Sequence, residues 1–305
     1  MWEFMSFLIS KIIGLSYKLK DGNKKLNYAL LSRGLVVHCK NYYGPFVAAT
    51  DIKKSLDDER NIPGLNLDFN IHKRFLNNLD FGPELVAIPD TGTNILQYAY
   101  KKGMFGSGDA EIFYGIIRHL KPRRIIEIGA GSSTLIAQQA IKCNQQENDN
   151  YSCSHICIEP YENAWLEKLD IEVIRKKVED LPVTFFHSLK ENDILFVDSS
   201  HVVKPQGDVL FEIFDIYGSI NRGVYVHVHD IFTPRDYPSD WIIDQRRLWH
   251  EQYLLEAFLS FNDKFEIVCA LNWVSKNHPQ LLTKACPVLM NRVQNNPGSF
   301  WFRRL

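Results

Sequence analysis

The stretch RIIEIGAGSSTLIAQQA, residues 124–140, decides how the rest of the chain is interpreted. Its first residues predict a short buried strand, which runs into glycines at Gly129 and Gly131. The hydroxyl residues that follow, beginning with Ser132, are typical caps at the start of a helix. Glycine allows a tight turn and a close approach of a ligand, and free N–H groups at a helix start attract polar ligand groups. The stretch therefore predicts a strand, a turn and a helix that bind a polar ligand.

The glycine spacing separates two kinds of cofactor. A dinucleotide-binding turn has the pattern G-x-G-x-x-G, but Thr134 stands where the third glycine belongs. Glu127 instead gives the pattern E-x-G-x-G, which resembles the first motif of class I S-adenosylmethionine-dependent methyltransferases. In that family the turn passes under the cofactor, and the acid helps to hold its methionine end. A nicotinamide cofactor and a turn without a ligand are the alternatives.

Composition sets the broad class of the protein. The chain has 305 residues, of which 45% are hydrophobic and 23% charged, as in an ordinary globular protein. A formal net charge of -1 gives no general attraction to nucleic acid. The six cysteines lack a metal-finger spacing, so we expect reduced, buried thiols in a cytoplasmic protein.

The N-terminal part, residues 1–97, is predicted to be a mainly helical extension. Its first residues, MWEFMSFLISKIIGLSYKL, are apolar, but Glu3 and Lys11 interrupt them. A signal peptide needs positive charge at its start, and a membrane span needs about twenty largely apolar residues. We therefore predict no transmembrane segment. An amphipathic helix that contacts the body of the protein, a partner or a membrane surface is expected instead.

Acidic residues follow several predicted strands after the glycine turn. Glu159 ends a strand at residues 156–158, and Asp198 ends one at residues 194–197. An acid at the end of the second strand is placed to accept the ribose hydroxyls of a nucleoside cofactor. Asp180, in a loop between them, is a candidate contact to adenine.

Histidines follow two of the same strands. His201 lies three residues after Asp198, and the strand GVYVHVHDIF leads to His229 and Asp230. Ligands of open α/β sheets gather at the carboxyl ends of the strands, so these side chains should meet at one edge. A histidine there can remove a proton from an acceptor hydroxyl. His201 is the first candidate for this base and His229 the second.

Taken together, residues 98–305 resemble the class I methyltransferases, closest to stand-alone bacterial enzymes that modify small molecules or glycans. The resemblance implies a Rossmann-like α/β sheet, mostly parallel, with seven strands in the order 3-2-1-4-5-7-6 and the seventh antiparallel. It also implies S-adenosylmethionine as the cofactor. The cofactor residues it implies are Glu127, Gly129, Gly131, Ser132 and Glu159, with Ser107 and Asp109 from a preceding G-D-A loop.

Metal-dependent relatives that methylate catechols or sugars carry acid or amide ligands at the ends of strands four and five. The matching residues are Asp198, His229 and Asp230, which would bind a divalent cation such as magnesium. A histidine replaces the usual oxygen ligand, and magnesium prefers oxygen. Without a metal, the two acids would orient histidines or cap strand ends.

Three functions are open from the sequence. The leading one is an O-methyltransferase that acts on a hydroxyl of a sugar, a glycan or another polar small molecule, with no nucleic-acid partner. The second is a non-catalytic cofactor-binding or scaffold protein, and the third is an NAD-dependent oxidoreductase. A homo-oligomer is compatible with each. The link at residues 272–297, between the last two strands, is predicted as a hairpin insertion at the sheet edge.

Overall fold

The structure, a computed structural model, describes residues 47–161, 163–291 and 295–305. Phe7, Ser10, Lys11, residues 28–34 and Tyr42 are also described. The chain divides into two units, Met1–Lys53 and Lys54–Leu305. Most of the predicted first helix lies outside the described residues, and the proposed division of the chain at residues 97 and 98 stays a prediction.

The first unit is described only in part. Residues 28–31 are helical, and Ala49–Asp51 form a short 3-10 helix. None of the helices in the described part of the chain is long and apolar enough to cross a membrane.

A seven-stranded sheet forms the centre of the second unit, in the order β3-β2-β1-β4-β5-β7-β6. The strands are Arg124–Ile128 (β1), Ser154–Ile158 (β2), Glu172–Ile174 (β3), Ile194–Val197 (β4), Tyr225–Val228 (β5), Phe265–Ala270 (β6) and Phe300–Arg304 (β7). Strands β1 to β5 pair in parallel, whereas β7 is antiparallel to both β5 and β6. The predicted strand order and the antiparallel seventh strand are both confirmed.

Helices cover the sheet. They are Phe69–Leu76 (α1), Gly82–Ala87 (α2), Asp109–Leu120 (α3), Ser132–Glu147 (α4), Asp208–Phe211 (α5), Ser239–Ile243 (α6), Glu251–Leu259 (α7), Leu271–Asn277 (α8), Leu282–Ala285 (α9) and Pro287–Asn291 (α10). A π-helix, Glu212–Tyr217, continues α5. Short 3-10 helices lie at Leu166–Lys168, Val178–Asp180, Val183–Ser188 and Pro279–Leu281.

The alternation of side chains along the strands creates two cores. Ile125 and Phe196 face one side of the sheet and pack into a cluster with residues of α3 and α4. Ile126 and Leu195 face the other side and pack with residues of α5, the π-helix and α7. Successive side chains of a strand point to opposite faces, so Glu127 lies on the face of Ile125.

The link between β6 and β7 is an insertion in an antiparallel hairpin at the sheet edge, because β6 is the edge strand and pairs with β7. It contains helices α8, α9 and α10 within residues 271–291, which the sequence analysis did not predict. Each of these helices is short, which conceals the helical period in the sequence. Leu282 and Val288, from this segment, are fully buried against the α3 side of the sheet.

Candidate active site

The carboxyl ends of β1, β2, β4 and β5 form one edge of the sheet, because these strands run parallel. Gly129 directly follows β1, and Glu159 directly follows β2. Asp198 directly follows β4, and Asp230 lies two residues beyond β5. The structure therefore brings these predicted residues to the same edge.

The turn after β1 has a conformation that requires glycine. Gly129 has φ of +77°, and a Cβ atom there would lie 2.0 Å from the backbone oxygen of Asp198. Its N–H donates to the carbonyl of Ile158 at 3.0 Å. A side chain at this position would be strained and would also collide with the backbone of the neighbouring strand end. Gly131 and Ser132, at the start of α4, are half-buried beside this turn.

Glu159 lies against the same turn. Its carboxylate accepts hydrogen bonds from the N–H of Ala130 at 3.3 Å and from the N–H of Tyr161 at 3.0 Å. Asn163 donates its side-chain amide to the carbonyl of Ala130 at 2.8 Å. These contacts hold a half-buried carboxylate beside the glycine turn, which is where the sequence places a contact to ribose.

Three other predicted cofactor residues lie elsewhere. Glu127 is fully buried, and its carboxylate accepts a hydrogen bond from Thr134 inside the protein. Ser107 is also fully buried, and its hydroxyl accepts from the amide of Asn295 at 3.0 Å. Asp180 is exposed at the end of a 3-10 helix. Their direct contact with a cofactor stays a prediction, and for Glu127 and Ser107 the burial does not favour it.

Asp109 has a structural position at the start of α3. One oxygen of its carboxylate accepts from the N–H of Gly298 at 3.0 Å and from the N–H of Ser299 at 2.8 Å. Burial raises the pKa of Asp109, and the nearby charge of His229 opposes that rise. This carboxylate joins α3 to the chain that enters β7.

His201 lies between two carboxylates. Its Nδ1 atom is 2.7 Å from Oε2 of Glu251, and its Nε2 atom is 3.3 Å from Oδ1 of Asp198. The imidazole side chain is 6% exposed, and the carboxylate of Asp198 is 37% exposed. Glu251, at the start of α7, is completely buried. Only the Asp198 side of this ring therefore faces the open edge.

The charges of this group shift its pKa values. Burial alone would lower the pKa of His201, but the hydrogen bonds with Asp198 and Glu251 outweigh it and raise the pKa well above its ordinary value. For Asp198, burial is outweighed by the charge of His229 and the hydrogen bond with His201, and the pKa falls to about 2. Both shifts favour an imidazolium beside a carboxylate. The stability from the raised His201 pKa is present below the ordinary histidine pKa and is lost as pH rises through the raised value.

A second buried acid lies behind Glu251. Glu212, the first residue of the π-helix, accepts a hydrogen bond from Ser199 at 3.2 Å. Burial and the charge of Glu251 raise the pKa of Glu212 well above its ordinary value. Burial raises the pKa of Glu251 as well, but the hydrogen bond with His201 opposes that rise. We therefore take Glu212 as the protonated member and Glu251 as the charged partner of His201.

The histidines of β5 have different positions. His227 is fully buried, with its ring 4.0 Å from that of Phe196, and its Nε2 atom lies 3.0 Å from Oγ of Ser299. Burial lowers its pKa well below the ordinary value, so it is a neutral core residue. His229 is 7% exposed, and its Nε2 atom is 3.5 Å from Oδ1 of Asp230. Burial opposes its charge, but Asp230 and Asp198 raise its pKa overall.

The predicted metal ligands do not form a compact donor set. In the part of the chain that the structure describes, three ligand atoms come within 4.8 Å of one another at Glu127, His155 and Cys157, not at the predicted positions. Asp198, His229 and Asp230 would also give magnesium a nitrogen ligand, which it disfavours. These residues do not fit a preformed magnesium site.

Aromatic side chains border His201. The Trp249 ring lies 4.2 Å from the His201 ring, and Trp241 meets Trp249 edge to face at 5.1 Å. The guanidinium of Arg247 lies 4.1 Å from the Trp241 ring and 4.5 Å from the Trp249 ring. We call Trp241, Arg247 and Trp249 the aromatic border. It lies in the segment between β5 and α7, whose Pro, Trp and Arg content marks it in the sequence.

Glu251 could not be identified from the sequence as a site residue. It lies 50 residues from His201 along the chain and belongs to a helix instead of a strand end. The sequence shows only an acid at the start of an apolar helix. Acids are common at that position in helices of all kinds, so the pattern does not indicate a site residue.

Comparisons with known proteins identify a family model that matches the part of the chain with most of β1 to β5. Residues 126–231 match the family model described as "Methyltransferase domain". An uncharacterized protein of Archaeoglobus fulgidus is 28% identical over 167 residues, which are 50% of this chain and 74% of that protein.

Two solved structures are similar to this chain at lower sequence identity. The O-methyltransferase TomG from Streptomyces achromogenes, involved in tomaymycin synthesis and solved in complex with SAM, is 13% identical with a TM-score of 0.38. The match covers 79% of this chain and 91% of TomG. A structure described as cmcI-D160 with Mg and SAM is 15% identical with a TM-score of 0.33, covering 65% of this chain and 71% of that one. At such TM-scores, neither structure indicates what this chain binds.

Proposed function

We propose that this chain is a class I, S-adenosylmethionine-dependent methyltransferase and that it methylates a hydroxyl oxygen of a sugar, a glycan or another polar small molecule. The observation that carries the proposal is the position of His201 and Asp198 beside the glycine turn. Gly129 lies so close to Asp198 that a Cβ atom would be 2.0 Å from the Asp198 backbone oxygen. A donor held at the turn and an acceptor held at His201 would therefore be neighbours.

The residues of the glycine turn fit S-adenosylmethionine. Gly129 lets the turn pass tightly against Asp198, a Cβ atom at Gly131 would have its nearest neighbour 3.6 Å away, and the half-buried Glu159 carboxylate beside the turn would accept ribose hydroxyls. When bound, S-adenosylmethionine supplies an electrophilic methyl group. Glu127 would act indirectly, because Thr134 connects it to the turn. The Thr134 hydroxyl accepts from the N–H of Gly131 at 3.2 Å and donates to Glu127.

His201 is the proposed base. An acceptor hydroxyl must lose its proton as its oxygen takes up the methyl group, and a neutral imidazole within hydrogen-bond distance can accept that proton. The Nε2 atom is the one on the open side, whereas Nδ1 is bound to Glu251. The acceptor would displace the half-exposed Asp198 carboxylate from Nε2. Asp198 and Glu251 would then stabilise the imidazolium that forms.

The base must be neutral at the start of the reaction, whereas its raised pKa favours the protonated form at neutral pH. A stronger base accepts a proton more readily once it is neutral. The proposal therefore implies that the reaction accelerates as pH rises above the ordinary histidine range. Magnesium is not needed for this step, and no role is assigned to it.

The aromatic border supports an acceptor that contains a ring. Sugars and planar rings both present C–H groups or faces that pack against tryptophan. Trp249 contacts His201 directly, so a ring resting on Trp249 would bring its hydroxyl near Nε2. Arg247 adds a positive charge at the same border, which favours acceptors with a carboxylate or phosphate group.

Calorimetric titration tests the cofactor. We expect the protein to bind S-adenosylhomocysteine with little dependence on magnesium and not to bind NADH. Glu159→Ala should weaken the binding of S-adenosylhomocysteine about 10- to 100-fold, as expected for loss of charged hydrogen bonds. The exposed Asp149 provides the control variant Asp149→Ala, which should bind normally. Binding of NADH in preference to S-adenosylhomocysteine would reject the proposal.

Turnover separates an enzyme from a cofactor-binding scaffold. A panel of sugars, glycans and phenolic or hydroxylated small molecules would be incubated with labelled S-adenosylmethionine, and label transfer to oxygen measured. Transfer to an acceptor hydroxyl supports the proposal. Tight cofactor binding with no transfer to any class of acceptor would favour the scaffold, and transfer to nitrogen would contradict the choice of oxygen.

A further inference from the structure

A buried group of metal-binding side chains lies beneath the glycine turn. Glu127 on β1 is the direct register partner of Cys157 on β2, and His155 lies two residues before Cys157 on the same face of the sheet. Thr134, at the start of α4, completes the group. All four side chains are at least 96% buried, so the group is separate from the open edge of the proposed active site.

The separations between these side chains are close to those around a bound ion, and the two that involve sulfur are slightly longer. The Cys157 sulfur is 3.7 Å from Oε2 of Glu127 and 3.7 Å from Nε2 of His155. Nε2 of His155 is 3.4 Å from Oε1 of Glu127. Zinc binds nitrogen and oxygen at about 2.0 Å and sulfur at about 2.3 Å, so tetrahedral ligands are separated by roughly 3.3 to 3.6 Å.

Hydrogen bonding alone does not satisfy this carboxylate. Within the described part of the chain, Oε1 of Glu127 is buried and has no hydrogen-bond partner. Its 3.4 Å contact with His155 is longer than a normal hydrogen bond between nitrogen and oxygen. Buried carboxylates are normally paired with a positive charge or bound to a metal. The unpaired oxygen points to a missing cation at this place.

The second nitrogen of His155 contacts the side-chain amide of Gln138. Nδ1 of His155 lies 2.8 Å from the side-chain amide nitrogen of Gln138. Rotation of the Gln138 amide by half a turn would place its oxygen against Nδ1 and let Nδ1 donate to it. Nε2 would then offer its lone pair to a metal, as in histidines that bind zinc.

We propose that Glu127, His155 and Cys157 bind a zinc ion that joins β1 to β2 below the glycine turn. Thiolate and imidazole ligands favour zinc over magnesium or calcium. With one thiolate and one carboxylate, the ligands balance the charge of the ion. The site is structural and does not depend on the proposed methyl transfer.

Zinc binding would also release a proton from Cys157. A thiol binds zinc as the thiolate, so its proton must leave when the metal binds. The metal replaces the proton, and the affinity for zinc therefore increases with pH.

Metal analysis of the full chain tests the site. The purified protein would be stripped with a chelator, reconstituted with zinc, desalted and measured by mass spectrometry. We expect about one zinc ion per chain. Reconstitution with cobalt should give the absorption of a thiolate-bound tetrahedral ion. The control is Cys153→Ser, since Cys153 lies just before the same strand and outside the group.

Variants assign the ligands. Cys157→Ser should lose the zinc and the cobalt absorption, whereas Cys153→Ser should keep both. Gln138→Ala keeps all three ligands and should weaken zinc binding about 10- to 100-fold, so it remains informative if Cys157→Ser does not fold. A folded wild-type protein that takes up no zinc after reconstitution would overturn the proposal. Equal zinc content in the two cysteine variants would overturn it as well. Neither result depends on the binding of S-adenosylhomocysteine.

Discussion

Two acids on neighbouring strands have opposite surroundings. Glu127 lies within β1, is completely buried and contacts Thr134, His155 and Cys157. Asp198 lies one residue beyond β4, and 37% of its side chain is exposed. The two strands are paired directly, with Ile128 opposite Val197. A difference of two positions along the strands therefore separates an internal carboxylate from one at the open edge.

The comparison separates structural from chemical roles. An acid inside a strand is enclosed by the core and reaches a ligand at the open edge only through other groups, as Glu127 does through Thr134. An acid beyond the strand end keeps one side available to a ligand. On this basis, substitutions at Asp198 and its partner His201 should affect turnover, whereas substitutions at Glu127 should affect folding.

Among substitutions at the open edge of the sheet, His201→Ala should give the largest decrease in kcat. Loss of a general base typically slows a reaction about 100- to 10,000-fold, so we expect kcat to fall by this amount. The affinity for S-adenosylhomocysteine should change little, because His201 faces the acceptor. Steady-state kinetics and calorimetry measure the two effects. The exposed His187 supplies the control His187→Ala, and a His201→Ala enzyme with normal kcat would assign the base elsewhere.

Of the two acids compared, the buried Glu127 should be the one whose substitution by alanine lowers the free energy of unfolding most. Removing a buried, hydrogen-bonded side chain leaves a cavity and unpaired neighbours, so the free energy of unfolding should fall by about 2–4 kcal/mol. Asp198→Ala should reduce it by no more than about 1 kcal/mol, because solvent screens a half-exposed pair. Urea unfolding of both variants makes the measurement. A larger loss for Asp198→Ala would break the comparison.

Glu251→Gln tests the pKa of the base. Both the hydrogen bond and the charge of Glu251 raise the pKa of His201. Glutamine keeps the shape and removes the charge, so the pKa should fall. Because the base must be neutral, the acid limb of kcat/KM should move to lower pH, by about one unit. The plateau at high pH should also fall, since the base is weaker.

The profile of kcat/KM against pH for wild type and Glu251→Gln provides the measurement. Glu191→Gln, at an exposed acid, should leave the profile unchanged. A shift of the Glu251→Gln limb to higher pH would contradict the assignment of His201.

Trp249→Ala should give the smallest effect. Loss of an aromatic contact to the acceptor is worth about 0.5–1.5 kcal/mol, so KM for the acceptor should increase roughly 2- to 12-fold. Trp249→Phe should restore part of the affinity, and the exposed Phe214 offers the control Phe214→Ala. An unchanged KM with a reduced kcat would mean that Trp249 only positions His201.

The fold could be predicted because each parallel strand is a short apolar run bounded by glycine, proline or polar residues. Both faces of the sheet are covered, so Ile125, Ile126 and Ile128 of β1 are all buried although their side chains alternate between the faces. This is why the strand is a continuous apolar run. The strand ends also revealed Glu159, Asp198 and Asp230, since position at a strand end depends only on the local pattern. The helices between β6 and β7 were missed because each spans only four to seven residues.

Side-chain partners were harder to predict. The contact between His201 and Glu251 joins residues 50 positions apart, and no local pattern encodes it. The burial of Glu127 follows from strand pairing, which places Cys157 beside it. Position at a common edge also does not fix the distance between ligands, because that distance depends on rotamers. Asp198, His229 and Asp230, the predicted metal ligands, follow the strand ends as predicted, but they are not among the described residues whose ligand atoms lie within 4.8 Å of one another.

The close approach of Gly129 to the Asp198 carbonyl has a consequence for how the donor and the acceptor affect each other's binding. A ligand that displaces the turn must also displace the first residue after β4, since no space separates the two backbones. Occupancy of one half of the edge should therefore change the affinity of the other half. Thermodynamic reciprocity requires the same factor in both directions, so the acceptor should change the affinity for the donor by the factor by which the donor changes the affinity for the acceptor.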